Sequence, residues 1–446
     1  MTVTSSEAVL RPGRELKRAT QVIGYALSTL LLGVTGLLFI PAAVQSAGPH
    51  GWASVALGQA FGVVVAVVVG YGWTLTGPAA IAGSSLDGQI LEFRKSLVGR
   101  LLVGVPATGL GLALLWILFP GNETVSGLAL LGTAMTGMSS NWLFVGMARP
   151  FALLWYETVP RTVATVAAIV VLYNGFSLES GLIIQSAGLA VGLVLTCLVI
   201  RSWKLKSFGK TWKSPHRLSM SVVVRALRAQ SHGMVASLIS AIFLSAPILV
   251  VGLFAPSALP AFALADKIQK QFISGVAPIV SVAQGWVPKA EGRTAVIRRS
   301  RKAVLFGAAM SFVVCVFILL LGSWLWAFLG AGQIEFEVIL GALVAGICAL
   351  IFLERILSRA GLIPLGGAGK LLMATSVGSV LGMAAAVVLV SSHGTAGALL
   401  GVFLGFLLTV GFEVIFWMGL TRSLGRRRRK NLAPQLLSKR LKRVEQ

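Results

Sequence analysis

Acidic residues are scarce in this chain: 14 Asp and Glu stand against 38 Lys and Arg in 446 residues. Charge of either sign makes up only 12% of the sequence, where a soluble domain carries about 25%. Cysteine is nearly missing. Cys197, Cys315 and Cys348 lie far apart inside apolar runs, which excludes a disulfide framework and a CxxC metal site. The four histidines, His50, His216, His232 and His393, are scattered and form no HExxH pair. Around Lys370 the stretch GGAGKLL lacks what a phosphate-binding loop needs. Pro364 stands where the first glycine belongs, and Leu371 where Ser or Thr belongs. These absences leave no enzyme signature, no metal site and no cofactor motif.

What is abundant is apolar length. Hydrophobic residues make up 56% of the chain, and the mean hydropathy is +0.88. A membrane crossing needs about 20 apolar residues in a helix, because lipid offers backbone groups no hydrogen-bond partner. Twelve such runs are expected, near 20–44, 53–74, 97–119, 124–147, 151–173 and 178–200, then 229–253, 259–284, 303–328, 337–362, 367–391 and 396–421. β-barrel strands would be about half that length and would alternate. The fold class expected is an all-α polytopic membrane protein. Its parts are a cytoplasmic N-terminal tail (1–19), a six-helix lobe (20–200), a basic inter-lobe linker (201–228), a second six-helix lobe (229–421) and a basic cytoplasmic tail (422–446). The first helix is read as retained, not as a cleaved signal peptide.

Charge placement supports that count. With both ends inside, the outer connections fall near 45–52, 120–123, 174–177, 254–258, 329–336 and 392–395, and none holds a Lys or Arg. The basic clusters at Arg94/Lys95, 201–228, Lys289 to Lys302 and Arg422 onward all fall inside, as the positive-inside rule requires. The net charge of +24 therefore reads as topology facing anionic inner-leaflet lipid, and not as a nucleic-acid surface. In the tail, Leu437, Leu441 and Val444 fall at helical spacing among basic residues. That fits either a helix on the inner membrane surface or an unstructured tail.

One stretch occurs twice. PAAVQSAGPHGWASVALGQAFG (Pro41–Gly62) is echoed from Pro247 by PILVVGLFAPSALPAFALADKIQ. Aligning Pro49 with Pro256 sets ASVALGQ over PAFALAD. The echo predicts two related halves. Glycines at GxxxG spacing, Gly58/Gly62, Gly188/Gly192, Gly378/Gly382 and Gly397/Gly401/Gly405, predict close helix packing. Pro106, Pro160, Pro247 and Pro278 fall within spans, where proline kinks helices.

Ionisable residues inside the membrane cost about 2.5–3.5 kcal/mol each and so face a partner or a cavity. They are Glu157 and Arg161 in span five, Asp266, Lys267 and Lys270 in span eight, Glu354, Arg355 and Arg359 in span ten, and Glu413 in span twelve. Ion pairs at i,i+4, Glu157–Arg161 and Asp266–Lys270, are the simplest role for the acids, with ion coupling as the other. Arg359 is placed to snorkel. Arg161 and Lys267 lie deepest, one in each half, and two cations suit an anionic headgroup such as a diphosphate. Gln45, Gln59, Asn141 and Gln185 could meet sugar hydroxyls or simply bond between helices.

Three of these stretches carry a resemblance. PAAVQSAGPHGWASVALGQ, the run NWLFVGMARPFALLWYETVPR (Asn141–Arg161) and Leu259–Ile279 resemble bacterial Wzx-type polysaccharide flippases of the multidrug/oligosaccharidyl-lipid/polysaccharide exporter superfamily. The resemblance implies two six-helix lobes around a central cavity. It also implies alternating access that carries an undecaprenyl-diphosphate-linked oligosaccharide across a bacterial plasma membrane, with no bond made or broken. The cavity cations it implies fall on Arg161 and Lys267, then Lys270 and Arg355. Partners would be the lipid-linked oligosaccharide and the polysaccharide polymerase and chain-length machinery. A multidrug antiporter of the same superfamily is the alternative; spans one and seven lack the acid it commonly uses, while Asp266 and Glu413 keep it open. A membrane glycosyltransferase or ligase is a weaker alternative, lacking its outer acidic motif.

Overall fold

The computed structural model describes residues 12–208 and 219–444. Every regular element among them is helical. In chain order these are α1 (Pro12–Gly70), α2 (Trp73–Ala82), α3 (Leu86–Leu118), α4 (Glu123–Met135), α5 (Asn141–Gly146), α6 (Pro150–Leu153) and α7 (Val159–Tyr173). They continue with α8 (Leu178–Phe208), α9 (Met220–Phe254), α10 (Leu259–Trp286), α11 (Arg293–Leu329), α12 (Val338–Ile356) and α13 (Ala368–Val444). Seven helical stretches among the described residues are long and apolar enough to cross a membrane.

α1 is two helices that meet at a kink at Gly48 (φ 70°, ψ 178°), inside the 45–52 connection expected between the first two spans. Its 59 residues would extend about 90 Å if straight, three times a hydrocarbon core. The last two spans likewise meet within α13 at a kink at Gly394 (φ 53°), inside the expected 392–395 connection. Only glycine enters such backbone without penalty. Other expected boundaries are corrected. Span four is not continuous: a 3-10 turn at Thr136–Met138 separates α4 from α5. Thr133 and Thr136 there donate back to backbone carbonyls, and Gly137 packs against α1, where a Cβ would stand 2.4 Å from the Ala66 carbonyl oxygen. α2 was unforeseen. The linker at 201–228 is helical over Arg201–Phe208 and from Met220 on; 209–218 lie outside the described residues, as do residues 1–11 of the N-terminal tail. The surface helix expected at Leu437, Leu441 and Val444 falls on side chains outside the described set. The helices run on through Pro106, Pro247 and Pro278.

The chain forms two compact units, Met1–Leu249 with Leu329–Gln333, and Val250–Phe328 with Ile334–Gln446. α9 groups with the first unit as far as Leu249. Its packing explains this. Leu227 joins the cluster built on Trp73, Phe93 and Trp142, and a Cβ on Gly72 would meet the Gln230 carbonyl oxygen at 2.7 Å. In the first unit α1 packs on α4, and α7 on α8. In the second, α12 packs on α10 and α13. α3 and α11 keep broad apolar faces outward, including Ile117 and Leu320, at 75% and 74% exposure. Water would not tolerate faces of that size, and lipid does.

The echoed stretch is echoed in structure. Residues 51–58 and 258–265 carry the same burial pattern at all eight positions, buried except at Ser54 and Ala261. Four positive-φ positions recur in matching order, Gly72 and Gly292, Gly121 and Gly332, Ala148 and Gly366, Gly175 and Gly394, whereas Gly48 has no counterpart, the aligned Ala255 having φ −148°. A π turn at Leu154–Thr158 is matched by one at Leu357–Leu362. Each precedes a proline by two residues, Pro160 and Pro364, which has no N–H to close an ordinary helical turn.

Candidate functional site

In the first unit the buried charge gathers at that first π turn. Glu157 sits on it with an 8% exposed side chain. Its Oε2 accepts from the Ser140 N–H at 3.0 Å, and the Ser139 hydroxyl donates to Oε1. One helical turn on, Arg161 Nη1 lies 3.7 Å from Oε1. The expected pair is therefore present but long, and the carboxylate's hydrogen bonds go to the 139–140 turn.

Arg161 also faces a cavity of about 180 Å³, enclosed by α1, α4, α7 and α8. Thr35, Gln59, Thr136, Gln185 and Ser186 line it with apolar neighbours, and among the described residues no carboxylate does. The Thr35, Thr136 and Ser186 hydroxyls donate to carbonyls of their own helices, which leaves their oxygens as acceptors. The cavity thus offers one guanidinium with amides and hydroxyl acceptors. Gln59 and Gln185 reach it; Gln45 and Asn141 are exposed elsewhere.

A residue not singled out from sequence stands behind this site. Arg100, on α3, is 2% exposed. Its guanidinium lies over the rings of Trp73 and Trp142, 5.8 and 5.5 Å from their centroids. Nη1 donates to the Ser139 carbonyl at 2.9 Å. Nε and Nη2 have no hydrogen-bond partner among the described residues. The signal available was an arginine inside an apolar run, hidden by the basic cluster at Arg94/Lys95. What seals it is α2, which hydropathy did not reveal.

In the second unit Asp266 and Lys270 pair at 2.7 Å on α10, with Lys267 between them and half-buried. Glu354 pairs with Arg355 at 3.8 Å near the end of α12. Glu413, on α13, is fully buried, and neither carboxylate oxygen has a hydrogen-bond partner among the described residues. It lies in the electrostatic field of Glu354. The sequence-picked residues therefore form three local groups: Glu157–Arg161, Asp266–Lys267–Lys270, and Glu354–Arg355 with Glu413.

These features belong to a multi-pass helical membrane protein, whose fold is like that of solved MATE family structures. Neither a protein-family profile nor a curated protein sequence matches the chain. Solved structures do. An inward-facing multidrug resistance MATE family transporter of the MOP superfamily aligns with TM-score 0.64 and 18% identity, over 90% of this chain and 99% of that one. Its outward-facing counterpart by description, again a multidrug resistance MATE family transporter, aligns with TM-score 0.54 and 15% identity over 93% and 99%. A MOP superfamily transporter from Pyrococcus furiosus, described as having a binding pocket of reverse polarity that suggests a different function, gives TM-score 0.51 and 14% identity over 93% and 99%. At such identities the likeness is one of fold.

Proposed function

We propose that this chain is an alternating-access transporter that moves an anionic, hydroxyl-rich amphiphile from the inner to the outer leaflet. In its specific form the cargo is an undecaprenyl-diphosphate-linked oligosaccharide used for surface polysaccharide. The observation that carries the reading is the first unit's cavity. Its one charged lining side chain among the described residues is Arg161, and hydroxyl acceptors and amides surround it. A guanidinium matches phosphate oxygens, and the acceptors match sugar hydroxyls. Lys267 is the corresponding cation in the second unit, with Lys270 and Arg355 as lesser contributors. The polysaccharide polymerase and chain-length machinery are the partners this cargo would need.

The proposal includes twelve crossings in two related halves, with both termini on the cytoplasmic face of a bacterial plasma membrane. Support comes from the repeated burial pattern, the ordered positive-φ turns and the paired π turns. α1 and α13 supply two crossings each in this reading.

A second reading, ion-coupled export of drugs, is favoured by the fully buried Glu413 and by the multidrug transporters among the fold neighbours. Deleting the gene separates the two. The first reading expects lipid-linked repeat units held at the cytoplasmic face and loss of the surface polymer, with unchanged drug susceptibility. Normal polymer with raised susceptibility would overturn it in favour of the second.

A further inference from the structure

Glu157 is linked to two guanidiniums that differ in access, directly to Arg161 at 3.7 Å and through Ser139 to Arg100. Arg161 faces the cavity. Arg100 is sealed between Trp73 and Trp142. Ser139 connects them: its carbonyl accepts from Arg100 Nη1 at 2.9 Å, and its hydroxyl donates to Glu157. Arginine carries five N–H donors, and on Arg100 those of Nε and Nη2 are buried without a partner among the described residues. A buried cation normally has its donors met by an anion. Glu157 is the acid tied to the same serine, and the π turn that carries it holds a residue of slack relative to an ordinary helical turn.

We propose that Glu157 is an internal competitor for the cavity cation and that Arg100 is the positioning residue that receives it. In the empty state the carboxylate partly neutralises Arg161. A phosphate group entering the cavity takes Arg161 and repels Glu157. The carboxylate then turns toward the spare donors of Arg100, so that the site becomes fully cationic only when an anion arrives. The idea rests on the anionic-cargo reading and adds to it a residue and a device. A purely structural Arg100, clamping the 139–140 turn, would have no such link to anion affinity.

The test is inorganic pyrophosphate binding by calorimetry to the detergent-purified full chain. Wild type, Glu157→Gln, Arg100→Gln, Arg100→Lys and the two double variants with Glu157→Gln form a thermodynamic cycle. Glu157→Gln alone should tighten binding about tenfold, the scale of a close charge pair. Arg100→Gln should weaken binding about tenfold where Glu157 is present and hardly at all beside Glu157→Gln. Arg100→Lys keeps the charge and covers the case in which Arg100→Gln does not fold; its weakening should be smaller and also vanish beside Glu157→Gln. Unchanged or weaker binding in Glu157→Gln, or an Arg100 effect of equal size in both backgrounds, overturns the relay and leaves the anion reading standing. No pyrophosphate binding by the wild type overturns the anion reading and the relay with it.

Discussion

Gly58 and Ser126 meet backbone to backbone: a Cβ on Gly58 would stand 2.1 Å from the Ser126 carbonyl oxygen. Gly382 and Gly405 do the same within α13, with a Cβ on Gly382 only 2.5 Å from the Gly405 Cα. Neither partner is a side-chain tip that can swing away, so the helices must separate to admit a methyl group. Gly58→Val and Gly382→Val should each lower stability by about 1–3 kcal/mol or more. Gly109→Ala, with nothing within 4 Å of the new Cβ, should be neutral or slightly stabilising. Thermal melting of purified protein followed by size-exclusion chromatography reads all three. Equal melting temperatures would show that the glycine contacts do not hold these helices together.

Asp266 and Lys270 form the shortest ion pair among the described residues whose separation is known, at 2.7 Å. Each is partly shielded, with 12% and 28% side-chain exposure. Removing one partner leaves the other charge poorly compensated, while removing both does not. Asp266→Asn and Lys270→Met should each destabilise by about 1–3 kcal/mol, and the double variant should recover part of that. Additive losses in the melts would mean the two charges act apart.

Glu413 is fully buried, and its two carboxylate oxygens have no hydrogen-bond partner among the described residues. An unpaired buried polar group costs stability, so Glu413→Leu should raise the melting temperature. A residue kept at such a cost is commonly functional. Flux measurements in proteoliposomes on the same variant then divide the readings. Intact transport fits the anionic-cargo proposal, and loss of transport in a more stable protein favours the ion-coupled one.

Arg161→Ala and Lys267→Ala should cut transport at least tenfold while expression and melting hold, since a single strong charge contact contributes on the order of a factor of ten. Complementation of the deletion strain, scored by surface polymer, measures this. Full complementation by both variants would return the two cations to structural roles.

The proposed topology is tested by labelling. In a chain with Cys197, Cys315 and Cys348 replaced, His50→Cys and His393→Cys should react with an impermeant maleimide on intact cells. Arg201→Cys should react only after lysis. Labelling of Arg201→Cys from outside would invert the orientation.

Much of the fold was legible because lipid leaves a helix few options. Long apolar runs, the basic clusters and the glycine spacings all read directly onto helices and their contacts. The ends of helices were less legible. The kinks at Gly48 and Gly394 fall inside the expected 45–52 and 392–395 connections, but the break after α4 was not foreseen, and α2 is a ten-residue helix too short for hydropathy to flag. The site divides in the same way. Glu157–Arg161 and Asp266–Lys270 were legible because i,i+4 spacing on one helix makes contact a local matter. Arg100 was not, since its partners come from α2, α5 and the Ser139 turn, each distant in sequence.

By itself, then, the sequence determined that this is a multi-span helical protein, which way its charge is arranged, and which ionisable side chains lie within apolar runs. Solvation energetics act residue by residue, so composition and order suffice for that. Only the tertiary structure decided which of those charges are paired, that Arg161 lines a cavity while Arg100 is sealed behind it, and that Glu413 stands without a hydrogen-bond partner. Those outcomes depend on which helices approach one another, and that is set by packing between residues far apart in the chain.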